Sequence, residues 1–134
     1  MNKLNINSKV VFNNKVEMPA IGFGVWKVAP GEEVEGSVTM ALKAGYRMID
    51  TAMIYKNEEG VGKAIKASGI PREEIFVTTK IWNTDHGYEN ALKAIDVSLA
   101  KLGLSYVDLY LIHWPTAADV SNGGEIVSIN KREE

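Results

Sequence analysis

Helically spaced apolar residues alternate with short apolar runs along most of this chain of 134 residues. Apolar side chains at three- and four-residue intervals predict amphipathic helices over Gly31 to Ala44, Glu58 to Ser68 and Tyr88 to Leu102. Gly45 and Gly69 follow the first two helices as stop signals. The predicted buried face of the third helix consists of Ala91, Leu92, Ile95, Leu99 and Leu102.

Four short runs that contain apolar residues alternate with these helices and predict strands. The runs are Ala20 to Trp26, Arg47 to Asp50, Phe76 to Ile81, and Tyr106 to His113, of which the last is broken only by Asp108. Glycines in the first run indicate a strand whose backbone another group approaches closely. Strands that alternate with helices imply parallel βαβ units, so the sequence predicts an α/β fold with four parallel strands covered on both faces.

A small hairpin is predicted before the first of these strands. Asn13-Asn14, which tolerate positive φ, separate the apolar run Val10 to Phe12 from Lys15-Val16. We expect this segment, through Val16, to act as a lid or plug across the closed end of the strands, away from the polar strand ends described below.

Composition excludes several function classes. The formal charge is −2 without a basic block, so nucleic acid is not an expected partner. The chain has no cysteine and only two histidines, which excludes a disulfide framework and a thiolate metal site, and no metal is expected. No apolar stretch has membrane-spanning length and the first residues do not form a signal peptide, so a cytoplasmic protein is expected.

Polar or ionisable residues end three of the four predicted strands. They are Asp50, Lys80 and His113, and Tyr55 lies in the loop five residues after Asp50. In parallel α/β folds the reactive groups collect where strands end and loops begin. If the strands are neighbours in sequence order, all four side chains face one concave mouth.

Each of these residues also has an ordinary structural interpretation. Asp50 alone is better explained as a turn former or helix cap, and an isolated lysine such as Lys80 usually extends to solvent. Tyr55 could be an ordinary amphipathic side chain of its loop, and His113 could be a structural side chain. The tryptophans could be packing aromatics: Trp26, Trp82 and Trp114. The occurrence of a lysine, a histidine and two tryptophans at corresponding strand ends favours a shared site.

Proton donation by a phenol is the chemistry that this set supports. A nearby ammonium group stabilises a phenolate, and a carboxylate keeps that ammonium charged and oriented. A histidine beside them can orient a carbonyl oxygen, and tryptophans can form a pocket that excludes water. Together these residue types indicate carbonyl reduction, with a hydride supplied by a bound cofactor.

Four sequence blocks resemble the aldo-keto reductases, in particular members of the prostaglandin F synthase, glyoxal reductase and 2,5-diketogluconate reductase type. Their order and spacing agree with that family, and the resemblance covers about residues 4 to 116. The blocks are Gly22-Phe23-Gly24-Val25-Trp26, Arg47 to Gly62, Thr78-Thr79-Lys80-Ile81-Trp82, and Val107 to Pro115.

The resemblance implies a role for each site residue. Tyr55 would be the general acid, Lys80 and Asp50 its tuning pair, and His113 the donor that orients the substrate. Gly22, Gly24 and Val25 would lie beside the nicotinamide of NADP(H), with Asp50 also reaching its ribose. The substrate pocket would be lined by Trp26, Trp82, His113 and Trp114.

The family fold is an eight-stranded TIM barrel of about twice this length, whose last strands and loops hold most of the cofactor phosphates. We therefore expect a truncated (β/α)8 barrel: residues 1–116 would form its N-terminal half, with about four strands, and residues 117–134 a divergent tail without a convincing fourth helix. Two functions stay open. The chain is either a reductase, acting on a small carbonyl compound, or a catalytically inactive half barrel that serves as an assembly module or is a truncated gene product. Exposed edges of a half barrel favour self-association in both cases.

Overall fold

The computed structural model describes residues 4–116 and the backbone of two short strands at 118–119 and 125–126. Its strands are β1 (Lys9–Val11), β2 (Glu17–Pro19), β3 (Phe23–Gly24), β4 (Met48–Asp50), β5 (Phe76–Ile81), β6 (Leu109–Ile112), β7 (Ala118–Asp119) and β8 (Glu125–Ile126). Its α-helices are α1 (Glu32–Lys43), α2 (Glu58–Ala67) and α3 (Tyr88–Leu102). Single 3-10 turns lie at Met53–Tyr55, Arg72–Glu74 and Asn83–Asp85.

The central sheet has four parallel strands in sequence order, β3-β4-β5-β6. Its register aligns Gly24 with Asp50 and Asp50 with Thr78, while Lys80 lies opposite Leu111. The carboxyl ends of all four strands therefore lie at one edge of the sheet, which confirms the predicted fold class and strand order. This arrangement is the one expected for the N-terminal half of a (β/α)8 barrel.

The hairpin is confirmed and is longer than predicted. β1 and β2 pair antiparallel, and the Phe12 N–H donates to the Val16 carbonyl at 2.9 Å to close the turn. β2 begins at Glu17, just beyond the predicted end at Val16. Hairpin residues and residues at or just before the starts of β4, β5 and β6 line one shared groove: Lys9, Val16, Glu17, Pro19, Arg47, Glu73, Glu74, Phe76 and Asp108. The hairpin thus lies at the amino ends of the strands, opposite the polar strand ends.

Helices α1 and α2 cover the sheet through an apolar core. Val34, Val38 and Leu42 of α1 pack with Val61 and Ile65 of α2 in this core. Strand residues Ile49 and Val77, together with Leu102 at the end of α3, also belong to it. Fully burying a side chain of this size contributes about 1.5–3 kcal/mol, so these few residues carry much of the fold's stability.

Two glycines allow α2 to lie against both of its neighbours. A Cβ at Gly60 would stand 2.3 Å from Val34 Cγ1 of α1. A Cβ at Gly62 would stand 1.9 Å from the Leu102 carbonyl oxygen at the end of α3. The second contact is with backbone, which cannot rotate away, so only glycine fits at this position.

Asp108, the one charged residue within the predicted strand Tyr106 to His113, has a structural role just before β6. Its Oδ2 accepts hydrogen bonds from the Val77 N–H at 2.8 Å and from Arg72 Nη2 at 2.7 Å. The Asp108 N–H donates to the Val77 carbonyl at 3.0 Å. This residue therefore joins the start of β6 to β5 before the regular ladder begins.

The structure corrects three features of the predicted elements. The first strand is limited to Phe23–Gly24 because the chain turns after Val25, where the Val28 N–H donates to the Val25 carbonyl. The last strand is Leu109–Ile112, since the residues from Tyr106 to Asp108 instead make the Arg72 and Val77 contacts.

The third correction concerns the burial of apolar side chains on β6 and α3. Leu92 on α3 is 48% exposed and Ile112 on β6 is 66% exposed, so neither is buried as predicted. Leu102 is buried as predicted, and the other buried residues of α3 are Ala94 and Ser98.

Replacing Gly62 with alanine should destabilise the fold by at least ~1–3 kcal/mol, because the new methyl group overlaps the Leu102 carbonyl. Gly36→Ala is the matched control: Gly36 lies in α1, and a Cβ there meets nothing within 4 Å. The control should be neutral or stabilising by ~0.5–1 kcal/mol, because alanine has the higher helix propensity. Urea unfolding followed by circular dichroism measures both, and equal unfolding midpoints would contradict the tight α2–α3 contact.

Candidate active site

The strand-end residues predicted from the sequence meet at the carboxyl edge of the sheet. Lys80 Nζ donates to Asp50 Oδ1 at 2.9 Å and Oδ2 at 2.8 Å, and to the Thr51 carbonyl at 2.9 Å. All three ammonium donors are thereby directed at oxygen atoms. The Lys80 side chain is 14% exposed and Asp50 is 32% exposed, so the pair is only partly shielded from water.

Tyr55 lies beside this ion pair. Lys80 Nζ is 5.3 Å from the centre of the Tyr55 ring. The His113 ring lies 5.6 Å from the Tyr55 ring, at an interplanar angle of 89°. The structure thus brings together Asp50, Tyr55, Lys80 and His113, as the spacing in the sequence indicated.

Aromatic side chains form the walls of an open cleft over these residues. The Trp82 ring is 5.2 Å from His113 and 6.3 Å from Trp114. The cleft has a volume of about 570 Å³ and is lined by Trp26, Lys27, Ile54, Tyr55, Trp82, His113 and Trp114. All three tryptophans of the chain therefore lie on it, with Trp26 67% exposed at the rim.

The surroundings of His113 favour its neutral form. Burial lowers the pKa of the imidazole below its ordinary value, and the Lys80 ammonium lowers it further, while the Asp50 carboxylate opposes them. Its Nδ1 atom is buried and has no hydrogen-bond partner within residues 4–116. An uncharged imidazole can still donate one hydrogen bond through its protonated nitrogen.

The three residues expected beside a nicotinamide differ in their surroundings. Gly24 is exposed and a Cβ there would meet nothing within 4 Å, so its backbone is open to a ligand. A Cβ at Gly22 would stand 2.9 Å from Met48 Cγ, which gives this glycine a packing role as well. Val25 is fully buried in the core, and its N–H and carbonyl are both hydrogen-bonded within the chain, so this residue offers no open surface to a cofactor.

Sequence reasoning missed several residues of the site. Lys27 and Ile54 line the cleft. In the sequence, only their positions next to Trp26 and Tyr55 could have indicated that they belong to the site. Asn57 and Thr51 form a buried hydrogen-bond network below the cleft, with Thr51 Oγ1 donating to Asn57 Oδ1 at 3.0 Å. A polar residue directly before a helix is usually interpreted as a cap, which hides such a tertiary role.

Comparison with known proteins agrees with this geometry. The aldo/keto reductase family model matches residues 20–128 of the chain. This chain belongs to the aldo/keto reductase family. The match extends beyond residue 116, and the boundary expected there stays a prediction.

Two curated relatives of the chain are named reductases. It is 57% identical over 106 residues to the 9,11-endoperoxide prostaglandin H2 reductase of Trypanosoma cruzi, covering 79% of this chain and 38% of that protein. It is 58% identical over 110 residues to the glyoxal reductase of Bacillus subtilis, covering 82% of this chain and 40% of that protein. The chain thus spans about 40% of the length of these curated relatives.

Solved structures of the family share the fold. An aldo/keto reductase from Brucella melitensis superposes with a TM-score of 0.79 at 57% identity, covering 85% of this chain and 43% of that one. An aldo-keto reductase from Bombyx mori, solved in complex with NADP, gives a TM-score of 0.81 at 37% identity, covering 94% of this chain and 43% of that one.

Among the described residues of our chain, no helix is long and apolar enough to cross a membrane.

The pKa of His113 should be measurably below 6.5 in the folded chain, so the imidazole stays neutral as the pH falls past that value. Lys80→Met should raise this pKa relative to wild type, because it removes a lowering charge and leaves Asp50 in place. Lys27→Met removes the same charge from another lysine of the cleft and is the matched control. Histidine ring signals followed by NMR against pH test this, and a wild-type midpoint above 6.5 would contradict the described environment.

Proposed function

We propose that this chain carries the catalytic residues for NADPH-dependent reduction of small aldehydes or ketones to alcohols. The observation that carries the proposal is the position of Tyr55 in an aromatic cleft, beside the Lys80–Asp50 pair and opposite His113. Family membership and relatives that are named reductases support it.

In this mechanism Tyr55 donates the proton that the carbonyl oxygen gains. The Lys80 ammonium lies near the phenol ring and favours the negative charge that develops on the phenol oxygen as its proton leaves. Asp50 holds that ammonium in place through both of its carboxylate oxygens. The neutral His113 ring donates a hydrogen bond that orients the carbonyl, and the tryptophans give the substrate apolar walls.

The residues at this end of the sheet fit the nicotinamide end of NADP(H). Gly24 leaves open space over its backbone, which a flat ring could occupy. Asp50 remains 32% exposed after pairing with Lys80, so it can also accept a hydrogen bond from a ribose hydroxyl. When bound, the cofactor supplies the hydride. The family resemblance assigns the phosphate end to later strands of the barrel.

Tyr55→Phe should lower carbonyl reduction by ~10²–10⁴ while leaving the fold intact, because it removes the donated proton but keeps the ring. Tyr88→Phe is the matched control, since Tyr88 is 78% exposed at the start of α3. The assay follows NADPH oxidation with an aldehyde in the chain, and in a fusion that continues residues 1–116 with the remaining residues of the Bacillus subtilis glyoxal reductase.

Two outcomes would contradict the proposal. Wild-type turnover by the Tyr55→Phe fusion would show that Tyr55 is not the general acid. A well-folded fusion that reduces no aldehyde, although the intact glyoxal reductase does so in the same assay, would mean that this chain's half of the site is not catalytic.

The second candidate is an inactive half barrel that acts through assembly, and the exposed apolar surface favours it. The outer edges of β3 and β6 have no partner strand within residues 4–116. Ile112 at the β6 edge and Leu92 and Val97 on α3 are 66%, 48% and 45% exposed. Strand edges and apolar patches of this kind are sites of association.

Alone, the chain should self-associate and show little NADPH-dependent activity, because exposed edges pair and a catalytic site needs its surrounding shell. Ile112→Lys should shift it toward monomer in sedimentation velocity, since a charge on the edge strand opposes pairing. Met40→Lys, at a 73% exposed position of α1, is the matched control and should leave association unchanged. A wild-type monomer that turns over an aldehyde would contradict this expectation.

A further inference from the structure

Asn57 is a buried polar residue that the mechanism above does not use. It directly precedes α2 and is 1% exposed. Asparagine at this position usually accepts a hydrogen bond from the first turn of its own helix. Here the side chain makes no such cap, so its hydrogen-bonding groups serve contacts elsewhere.

Those contacts engage both ends of the amide. Its Oδ1 accepts the Thr51 hydroxyl at 3.0 Å, and its Nδ2 donates to the carbonyls of Val25 at 2.9 Å and Val28 at 3.0 Å. The Asn57 amide has two N–H bonds for the two backbone carbonyls and one carbonyl oxygen for the Thr51 hydroxyl, so every partner is matched. A carboxylate at this position would face two carbonyl oxygens without any hydrogen to donate.

The two carbonyls belong to the loop that carries Trp26 and Lys27. This loop is a turn closed by the Val28 N–H to Val25 carbonyl bond at 3.2 Å, with Lys27 in the left-handed region at φ 62°. The Trp26 side chain is 67% exposed, so its own packing holds it weakly. Its position therefore depends on the backbone that Asn57 binds.

The third contact belongs to the loop that carries Tyr55. Thr51 begins this loop and Asn57 ends it, and the Thr51 carbonyl accepts a hydrogen bond from Lys80 Nζ at 2.9 Å. One amide thus joins the Trp26 loop to the Tyr55 loop from below the cleft.

We propose that Asn57 is a positioning residue that holds the Trp26 wall at a fixed distance from Tyr55 and so sets a preference for carbonyl compounds with an apolar substituent. The substrate part of this inference rests on the proposed function. A substituent that packs on Trp26 gains from a fixed wall, whereas a substrate too small to reach Trp26 does not.

The first test needs no activity. In chain labelled with 5-fluorotryptophan, the fluorine signal of Trp26 is assigned with Trp26→Phe. Asn57→Asp should shift or broaden this signal while leaving those of Trp82 and Trp114 nearly unchanged. Asn13→Asp adds the same charge in the hairpin turn, at the opposite end of the sheet, and should leave all three signals in place.

Thr51→Val is a milder variant that removes only the hydroxyl bound to Asn57, and it should alter the same signal. If Asn57→Asp does not fold by circular dichroism, Thr51→Val decides the test. An unchanged Trp26 signal in every variant that folds would overturn the proposal.

The second test compares two aldehydes in the form that is active, the chain or the fusion. Asn57→Asp should raise KM for benzaldehyde about tenfold and change KM for propanal little, and it should have no further effect on KM in a Trp26→Ala background. Equal effects on both aldehydes, or additive effects with Trp26→Ala, would overturn the selectivity role. If neither form reduces any aldehyde, the proposed function fails instead, and the fluorine signals alone decide whether Asn57 positions Trp26.

Discussion

The Lys80 ammonium group makes the contact on which the rest of the site depends. It binds the carboxylate at the end of β4 and the first carbonyl of the following loop, although it belongs to β5. Removing one partner of a buried ion pair costs ~3–5 kcal/mol, and less where solvent reaches the charge that remains, as it does at Asp50. The same contact places a positive charge near the Tyr55 ring and beside His113. Local stability and the chemistry of the cleft therefore depend on one side chain.

Much of this arrangement could be predicted from the sequence because its causes are local or periodic. β5 occupies the predicted range Phe76–Ile81, a short segment rich in β-branched residues that lies between two predicted helices. The meeting of Asp50, Lys80 and His113 followed from parallel strands in sequence order, which places their carboxyl ends together. These inferences require only the strand periodicity and the topology.

The remainder depends on contacts between distant parts of the chain, which periodicity does not encode. The face of α3 was predicted from its apolar spacing, yet Leu92 is exposed, because burial also requires a neighbouring element. The α2 glycines carry no visible signal of their role, since Gly62 is required by a carbonyl forty residues later. The tertiary role of Asn57 has no sequence signal of its own, because a polar residue directly before a helix is ordinarily a cap.

Tyr55 lies in a loop, where a catalytic group is generally held less precisely than on a strand. This loop is short and is anchored at both ends. At its start, Thr51 binds Lys80 and its N–H donates to the Thr78 carbonyl at 2.9 Å. At its end, the Asn57 side chain is buried and Glu58 Oε1 accepts the Thr79 hydroxyl at 2.7 Å, which ties the start of α2 to β5.

Between these anchors the chain has little freedom. The Tyr55 N–H donates to the Ala52 carbonyl at 3.0 Å, and Lys56 adopts the left-handed conformation at φ 58°, which directs the chain into α2. A non-glycine residue in this conformation costs ~1–3 kcal/mol, so it persists only where the surrounding structure holds it there. Gly60 and Gly62 allow α2 to lie against α1 and the end of α3, and this packing fixes the position of α2. The position of the Tyr55 phenol therefore depends on helix packing as well, because the seven-residue loop from Thr51 to Asn57 ends at α2.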